Sequence, residues 1–281
     1  MDKKIQYRNF KNLLFQGIVI LFTVVCTLPL LFVLFRIFKE GISAINWHFL
    51  VNLPKPVGEV GGGIANAIVG SAIIILVASI IAIPFGISIG IYLSEYRKSK
   101  LAYWTLLSVD VLQGIPSIVI GIIIYLWVVK NMGGFSAFSG SIALSLIMLP
   151  SIIKSTEETL KLIPDSLKEA SLSLGVPYYR TILKVIIPSG MSGILSGTIL
   201  SVSRVAGETA PLLFTAFGNP FMNTNLMKPM GSLPAIIFNY AISPYEDWQK
   251  LAWGAAFILI VVILILNTIT KIAQRKWRVQ F

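Results

Sequence analysis

Charge is scarce in this 281-residue chain: 12% of its residues are Asp, Glu, Lys or Arg, against about 25% in a soluble domain. Hydrophobic residues make up 56%, and the mean hydropathy is +0.82. A soluble globule of this length lacks the polar surface to cover so much apolar area, and a disordered chain lacks the apolar content, so both classes are excluded. Cysteine is nearly absent. Cys26 stands alone among apolar neighbours, which excludes a disulfide scaffold and marks it as a packing or lipid-side thiol. Histidine is as rare, since His48 is the only one, so neither a His-based acid–base pair nor a His/Cys zinc cluster can be assembled. A phosphate-binding loop is missing too. Gly61 to Gly63 has no Lys-Ser/Thr after it and reads as a flexible entry to the next apolar run, so ATP hydrolysis through that motif is excluded. No nucleophile–base constellation lies in the apolar runs, which leaves an intramembrane hydrolase remote.

Acidic residues are the scarcer sign. Twenty-three Lys and Arg face twelve Asp and Glu, for a net charge of +11. The basic residues sit in short segments between apolar runs, the pattern of the positive-inside rule, so membrane lipid rather than nucleic acid is the expected partner. A helix crosses about 30 Å of hydrocarbon with roughly 20 mostly apolar residues. Six such spans are expected, at about 13–36, 64–93, 102–129, 139–156, 189–216 and 251–270. The second carries Pro84 and several glycines, which predicts a kink or tilt; the fourth is the weakest, because Lys154 and Glu157 follow Pro150 closely. The first run is too long for a signal peptide and has no small-residue cleavage site after it. Sixteen Lys and Arg fall on one side of the spans, six on the other, and Arg204 within a span. Both termini are therefore expected in the cytoplasm.

Two features carry chemistry. Span five contains Arg204 and Glu208, four residues apart and so on one helix face, with Arg204 about 24 Å along the helix from Pro188. A mid-membrane Arg or acid costs roughly 2.5–3.5 kcal/mol on insertion scales. Either the two neutralise each other and lock helix packing, or Arg204 lines a polar pathway with Glu208 holding it in place. The second reading is favoured, because a guanidinium presents five donors in a fixed fork that suits an oxyanion. Gly207 leaves room for a close approach, and Pro211 frees a backbone carbonyl. Span three carries Asp110 and Gln113, then Gly114-Ile-Pro116-Ser117; Asp110 either pairs with Arg204 or titrates within the pathway.

The second feature is the segment 157–187, which reads as helix, turn, helix. Glu157 to Ile163 is helical by composition, Pro164 breaks it, Asp165 or Ser166 caps a second helix through Leu174, and Gly175 with Pro177 ends that helix. A charged helix with an apolar face is a natural docking element, although an amphipathic connector on the inner leaflet has the same composition. The outer stretch of about 217–250 is rich in Gly, Pro and Asn, with Trp248 and Trp253 as interface anchors.

The residues from Glu169 to Pro188 resemble the EAA loop of ABC-importer membrane subunits. Glu169, Ala170, Gly175 and Pro188 fall at the matching spacing, while Ser171, Val185 and Ile187 depart mildly from the pattern. Ser203 to Leu212, Gly114 to Ser117, and Leu233 to Pro244 followed by Trp248 are similar to segments of PstA-type phosphate permease subunits. The resemblance covers about residues 60–275 and implies an all-α, polytopic membrane protein with six transmembrane helices in the type I ABC importer permease fold. It implies a core at 61–275 with a coupling loop at about 157–188, an N-terminal helix and outer loop at 13–60, and cytoplasmic ends at 1–12 and 276–281. It further implies that Arg204 serves phosphate passage, with Glu208 less firmly assigned, and that Glu169, Ala170, Gly175, Arg180 and Pro188 belong to the loop that meets an ATPase. The implied partners are a second, homologous permease subunit, an ATPase dimer that binds ATP and Mg, and an extracytoplasmic phosphate-binding protein; this chain is expected to bind no cofactor. A permease for molybdate or sulfate, and an ion-coupled carrier using Asp110, Arg204 and Glu208 as a charge relay, are the alternatives.

Overall fold

The computed structural model describes residues 3–59 and 61–276, so what the sequence implies for residues 1–2 and 277–281 lies outside the described residues. The order is α1 (Lys3–Ala44), α2 (Trp47–Val51), α3 (Ala65–Glu95), α4 (Lys100–Gly114) and α5 (Ser117–Ile124), which runs through a π-helical turn at Tyr125–Val129 into α6 (Lys130–Met132). Then come α7 (Ala137–Lys161), α8 (Asp165–Ser173) and α9 (Tyr178–Thr181), which runs through a second π-helical turn at Ile182–Ile186 into α10 (Ile187–Ala206). The chain ends with α11 (Ala210–Thr215), α12 (Leu233–Ala241) and α13 (Glu246–Lys276). Hydrocarbon offers no water to satisfy N–H and C=O groups, so long apolar runs close their backbone bonds internally as helices. Five helices are long and apolar enough to cross a membrane, and α4 with α5–α6 form a sixth candidate bent by 103°.

That bend falls inside the third expected span, about 102–129. Pro116 has no N–H to donate and pushes Ile115 into an extended conformation (φ −75°, ψ 128°), so α4 stops at Gly114 and α5 starts in a new direction. Span five is broken as well: α10 ends at Ala206 and α11 begins at Ala210, with Gly207, Glu208 and Thr209 between them. The second span, by contrast, is one helix through Pro84.

The fourth span, weakest by composition, is the centre of the bundle. Helix α7 is capped by Ser136, whose Oγ accepts from the Ser139 N–H at 3.1 Å, and continues past Lys154 and Glu157 to Lys161. Its neighbours approach through glycines. A Cβ added at Gly86 or Gly90 of α3 would lie 2.7 Å from Ile152 Cγ2 or 2.5 Å from Thr156 Cβ. On α10, one added at Gly193 or Gly197 would meet Thr159 at 2.4 Å or Ser155 Oγ at 1.8 Å. Small hydroxyl residues then bond between helices: Ser141 Oγ donates to the Ile74 carbonyl at 3.1 Å, and Ser155 Oγ to the Gly193 carbonyl at 3.3 Å. Around these contacts Ile74, Ala78 and Ala82 of α3 pack with Leu144, Met148 and Ile152 of α7 and Val205 of α10.

Helix α1 lies at the edge, its side chains largely exposed, and touches α13 through Phe38 on Phe257 and Arg36 over the Trp253 ring. The Gly-, Pro- and Asn-rich stretch at 217–250 is more ordered than its composition predicts. It contains α12 and the first turn of α13, which begins at Glu246 rather than near 251. Leu233 N–H donates to Ser71 Oγ at 2.8 Å, Asn66 Nδ2 donates to the Asn219 carbonyl at 2.6 Å, and a Cβ on Gly70 would lie 2.0 Å from the Gly231 carbonyl oxygen. The stretch is thus fastened to the first turns of α3. Trp248 stacks on Tyr240 at 4.6 Å between ring centroids.

Overpacking at a helix crossing destabilises by about 1–3 kcal/mol. Gly197→Ala is therefore expected to lower the thermal midpoint in detergent, while Gly134→Ala, which has open space around it, leaves it unchanged. Equal midpoints for the two variants would show that the α7–α10 crossing relaxes freely.

Candidate functional site

The two breaks face one another. Arg204 occupies the last turn of α10 and, with Gln113, Gly114, Pro116 and Ser117 at the α4–α5 bend and Pro150 and Ser151 on α7, lines a cavity of about 260 Å³. The pairing is held from behind by α11 and α5, where Gly121 sits so close to Pro211 that an added Cβ would be 2.7 Å from its Cα. Arg204 is 55% exposed at its side chain and Glu208 18%, with Nε to Oε1 at 3.9 Å. At that separation the pair is loose, and the guanidinium keeps donors free for something else. The expected geometry was a shared helix face. The structure replaces it with a helix end: α10 terminates between the two residues, where Gly207 and Glu208 N–H groups bond back to the Arg204 and Val205 carbonyls at 3.2 and 3.1 Å. A cation in the last turn also complements the partial negative charge of the helix terminus.

Asp110 does not pair with Arg204. Its partner is Lys154 of α7, whose ammonium forms an ion pair with Asp110 Oδ1. Lys154, which weakened the fourth span by composition, neutralises the acid on the adjoining helix. Asp110 lies one turn before the Gly114 wall of the cavity, and with its charge matched the cationic group facing the cavity is Arg204. The N-terminus of α5 opens onto the same space, adding the positive end of a helix, while Gln113, Ser117 and Ser151 add neutral polar groups. Such a set suits an anion that is bound loosely and passes on. Among the described residues no group of three His, Cys, Asp or Glu is placed to hold a metal.

The second functional element lies at the other end of α10. Helix α8 begins after Pro164, without the side-chain cap expected from Asp165 or Ser166, ends at Ser173, and is followed two residues on by Gly175 in the left-handed conformation (φ +77°). Glu169 and Ala170 are exposed, as are Leu172, Leu174, Gly175 and Arg180, so α8 offers a free face with apolar and acidic groups. Pro188 is the second residue of α10 and half-buried. Ser171 is buried and its Oγ meets Thr181 Oγ1 at 2.9 Å, which ties α8 to α9 and gives the departure from Ala at this position a physical reason.

The sequence reading missed Glu95. This last residue of α3 forms an ion pair with Lys168 of α8 and accepts from the Tyr178 hydroxyl of α9. Burial acts to lower the Lys168 pKa, but the contacts with Glu95 and Tyr178 outweigh it and hold the ammonium above its ordinary value. Glu95 precedes a basic turn (Arg97, Lys98, Lys100), and an acid at a helix C-terminus runs against the dipole, the one signal in the sequence that it had a partner.

The fold is similar to an inward-facing form of the MetNI methionine ABC transporter, with a TM-score of 0.64 at 15% identity over 77% of this chain and 98% of that one. It is also similar to an amino acid ABC transporter, with a TM-score of 0.55 at 17% identity over 76% and 92%. The likeness is one of fold alone: an all-helical arrangement of the kind seen in those two transporters. The chain belongs to the family of binding-protein-dependent transport system inner membrane components, whose family model matches residues 82–279. Relatives include the phosphate transport system permease protein PstA of Yersinia pestis, 44% identical over 248 residues (88% of this chain, 84% of that protein). PstA of Haemophilus influenzae is 36% identical over 268 residues (95% and 94%), and PstA 1 of Mycobacterium tuberculosis is 37% identical over 252 (87% and 82%).

Lys154→Met leaves Asp110 without its cation. Both residues lie in candidate spans, where exposure is not exposure to bulk water, so the expected loss is several °C in the thermal midpoint, and Asp110→Asn added to Lys154→Met should restore most of it. An unshifted midpoint in the single variant would show the pair to be energetically neutral.

Proposed function

We propose that this chain is the transmembrane permease subunit of an ATP-driven importer of inorganic phosphate. The observation that carries the reading is the half-exposed Arg204 guanidinium at the junction of two broken helices, with spare donors and the N-terminus of α5 opposite it. The PstA relatives are named for phosphate transport, which favours phosphate over molybdate or sulfate and a permease over an ion-coupled carrier. Arg204 offsets the charge of the anion during passage, Glu208 limits how tightly it is held, and Asp110 stays neutralised by Lys154. A deep, tight site would slow release.

ATP and Mg belong to a partner ATPase dimer, and this chain binds neither. The excess of Lys and Arg beside α8 and the termini supports a cytoplasmic position for those segments, where the exposed residues from Glu169 to Gly175 meet the ATPase. A second, homologous permease subunit completes the pathway, and an extracytoplasmic phosphate-binding protein delivers the anion at the α12 end. Closure of the ATPase pair pulls on α8, and the two permease subunits rock to open the path outward.

Radiolabelled phosphate uptake in cells tests the site. Arg204→Gln should reduce uptake by at least about tenfold with the protein still in the membrane, and Arg204→Glu should abolish it. Normal uptake in Arg204→Glu removes the role assigned to the guanidinium. At Gly175, a β-branched side chain cannot hold φ +77° without strain, so Gly175→Val should weaken ATPase co-purification or uncouple hydrolysis from uptake. If docking and transport both survive, α8 is not the coupling element.

A further inference from the structure

We propose that Glu95 is a positioning residue through which α8 drives α3, so that movement of the coupling helix travels to the far end of the molecule along α3 as well as along α7 and α10. The inference rests on reading α8 as the coupling helix. The chain itself joins α8 to α7 through residues 162–164 and to α9 and α10 through residues 174–177. Helix α3 has no such connection: Glu95 is 73 residues from Lys168 in sequence. The polar link between them is one carboxylate, set above an apolar contact.

Glu95 Oε2 receives both the Lys168 ammonium and the Tyr178 hydroxyl. Those two groups also meet each other, Nζ to the Tyr178 oxygen at 3.3 Å and Nζ to the ring centroid at 4.9 Å. The Glu95 side chain is 10% exposed and that of Lys168 24%, so water and salt screen the pair far less than a surface bridge. Beneath it Leu167 of α8 packs into the cluster of Leu160, Ile163, Ile182 and Ile186 that also takes Ile87 and Ile91 of α3. Ser171 bonded to Thr181 fastens α8 to α9 in the same knot. A displacement of α8 therefore pulls on the end of α3 through a half-buried charge pair.

The other end of α3 is equally fixed. Asn66, Gly70 and Ser71 in its first two turns hold Asn219, Gly231 and Leu233 of the segment leading into α12. Between these ends α3 is a continuous helix of 31 residues, about 46 Å long at 1.5 Å per residue. Its own hydrogen bonds resist stretching, so it works as a rod tied at both ends. Cut at Glu95, α3 loses its direct polar tie to α8 and follows it only at second hand, through its packing on α7 and the apolar cluster, while α7 and α10 remain joined to α8 by the chain.

The test uses the whole transporter, permease pair with ATPase, reconstituted in vesicles with its binding protein and inorganic phosphate. The readout is phosphate moved per ATP hydrolysed in assembled complex, a ratio that a merely destabilised protein leaves unchanged. Glu95→Gln should keep ATPase co-purification and hydrolysis within about twofold and lower the ratio by at least about fivefold. Lys168→Glu alone should do the same, and Glu95→Lys combined with Lys168→Glu should restore most of it. An unchanged ratio in Glu95→Gln overturns the proposal, as does a loss that the double exchange fails to recover. Where Glu95→Gln fails to assemble, Tyr178→Phe, which removes one donor and no charge, decides: about a twofold fall supports the link and no fall overturns it. Failure of the ATPase to co-purify with the unmodified chain would instead overturn the reading of α8, and is told apart by that control.

Discussion

Where Gly86 and Gly90 of α3 meet Ile152 and Thr156 of α7, and where Gly190, Gly193 and Gly197 of α10 meet Leu160, Thr159 and Ser155, the helix backbones come nearer than added side chains would allow. Lipid tails are as apolar as leucine, so burying apolar surface gives these helices little reason to associate; packing contact and hydrogen bonds between helices must do it. The close crossings supply both. They let Ser141 and Ser155 reach carbonyls on neighbouring helices, and they fix α7 as the axis on which α3, α4, α5 and α10 are placed. Lys154 then lies within reach of Asp110, and the α4–α5 bend lies opposite the end of α10.

The two broken helices take their meaning from that placement. A break inside a membrane span exposes backbone groups that cost several kcal/mol unless they are buried in protein or line a wet cavity. Here the bend at Ile115–Pro116 and the end of α10 at Arg204 border one cavity, and beyond the two breaks α5 and α11 pack together where Gly121 meets Pro211. Arg204 stands between them with a distant counter-ion. A tightly paired guanidinium would be a structural brace; one held at 3.9 Å, at a helix end and beside a cavity, has capacity left for an anion.

At the α8 end the same economy of contacts appears in polar form. Ser171 with Thr181, and Glu95 with Lys168 and Tyr178, join three helices through two small clusters, while the rest of α8 stays exposed. Helix α8 thus has a free outer face and firm attachment on its inner one.

The sequence by itself determined the class. Long apolar runs cannot be anything but helices in hydrocarbon, Gly175 and Pro164 mark the ends of α8, and Arg204 announces itself because a charge within a span needs a purpose. The spacing of Glu169, Ala170, Gly175 and Pro188, and the residues around Arg204, were enough to indicate the family. Local composition does not encode partners distant along the chain. Asp110 with Lys154, and Glu95 with Lys168, join positions 44 and 73 residues apart. Hydropathy also counts residues without regard to direction, so it gives the number of spans but not the 103° bend within one, the end of α10 four residues before Ala210, or the helix inside a Gly- and Pro-rich segment. Those choices belong to the tertiary structure, because a proline or glycine only permits a break; whether the chain turns there depends on what waits on the other side to satisfy the backbone it frees.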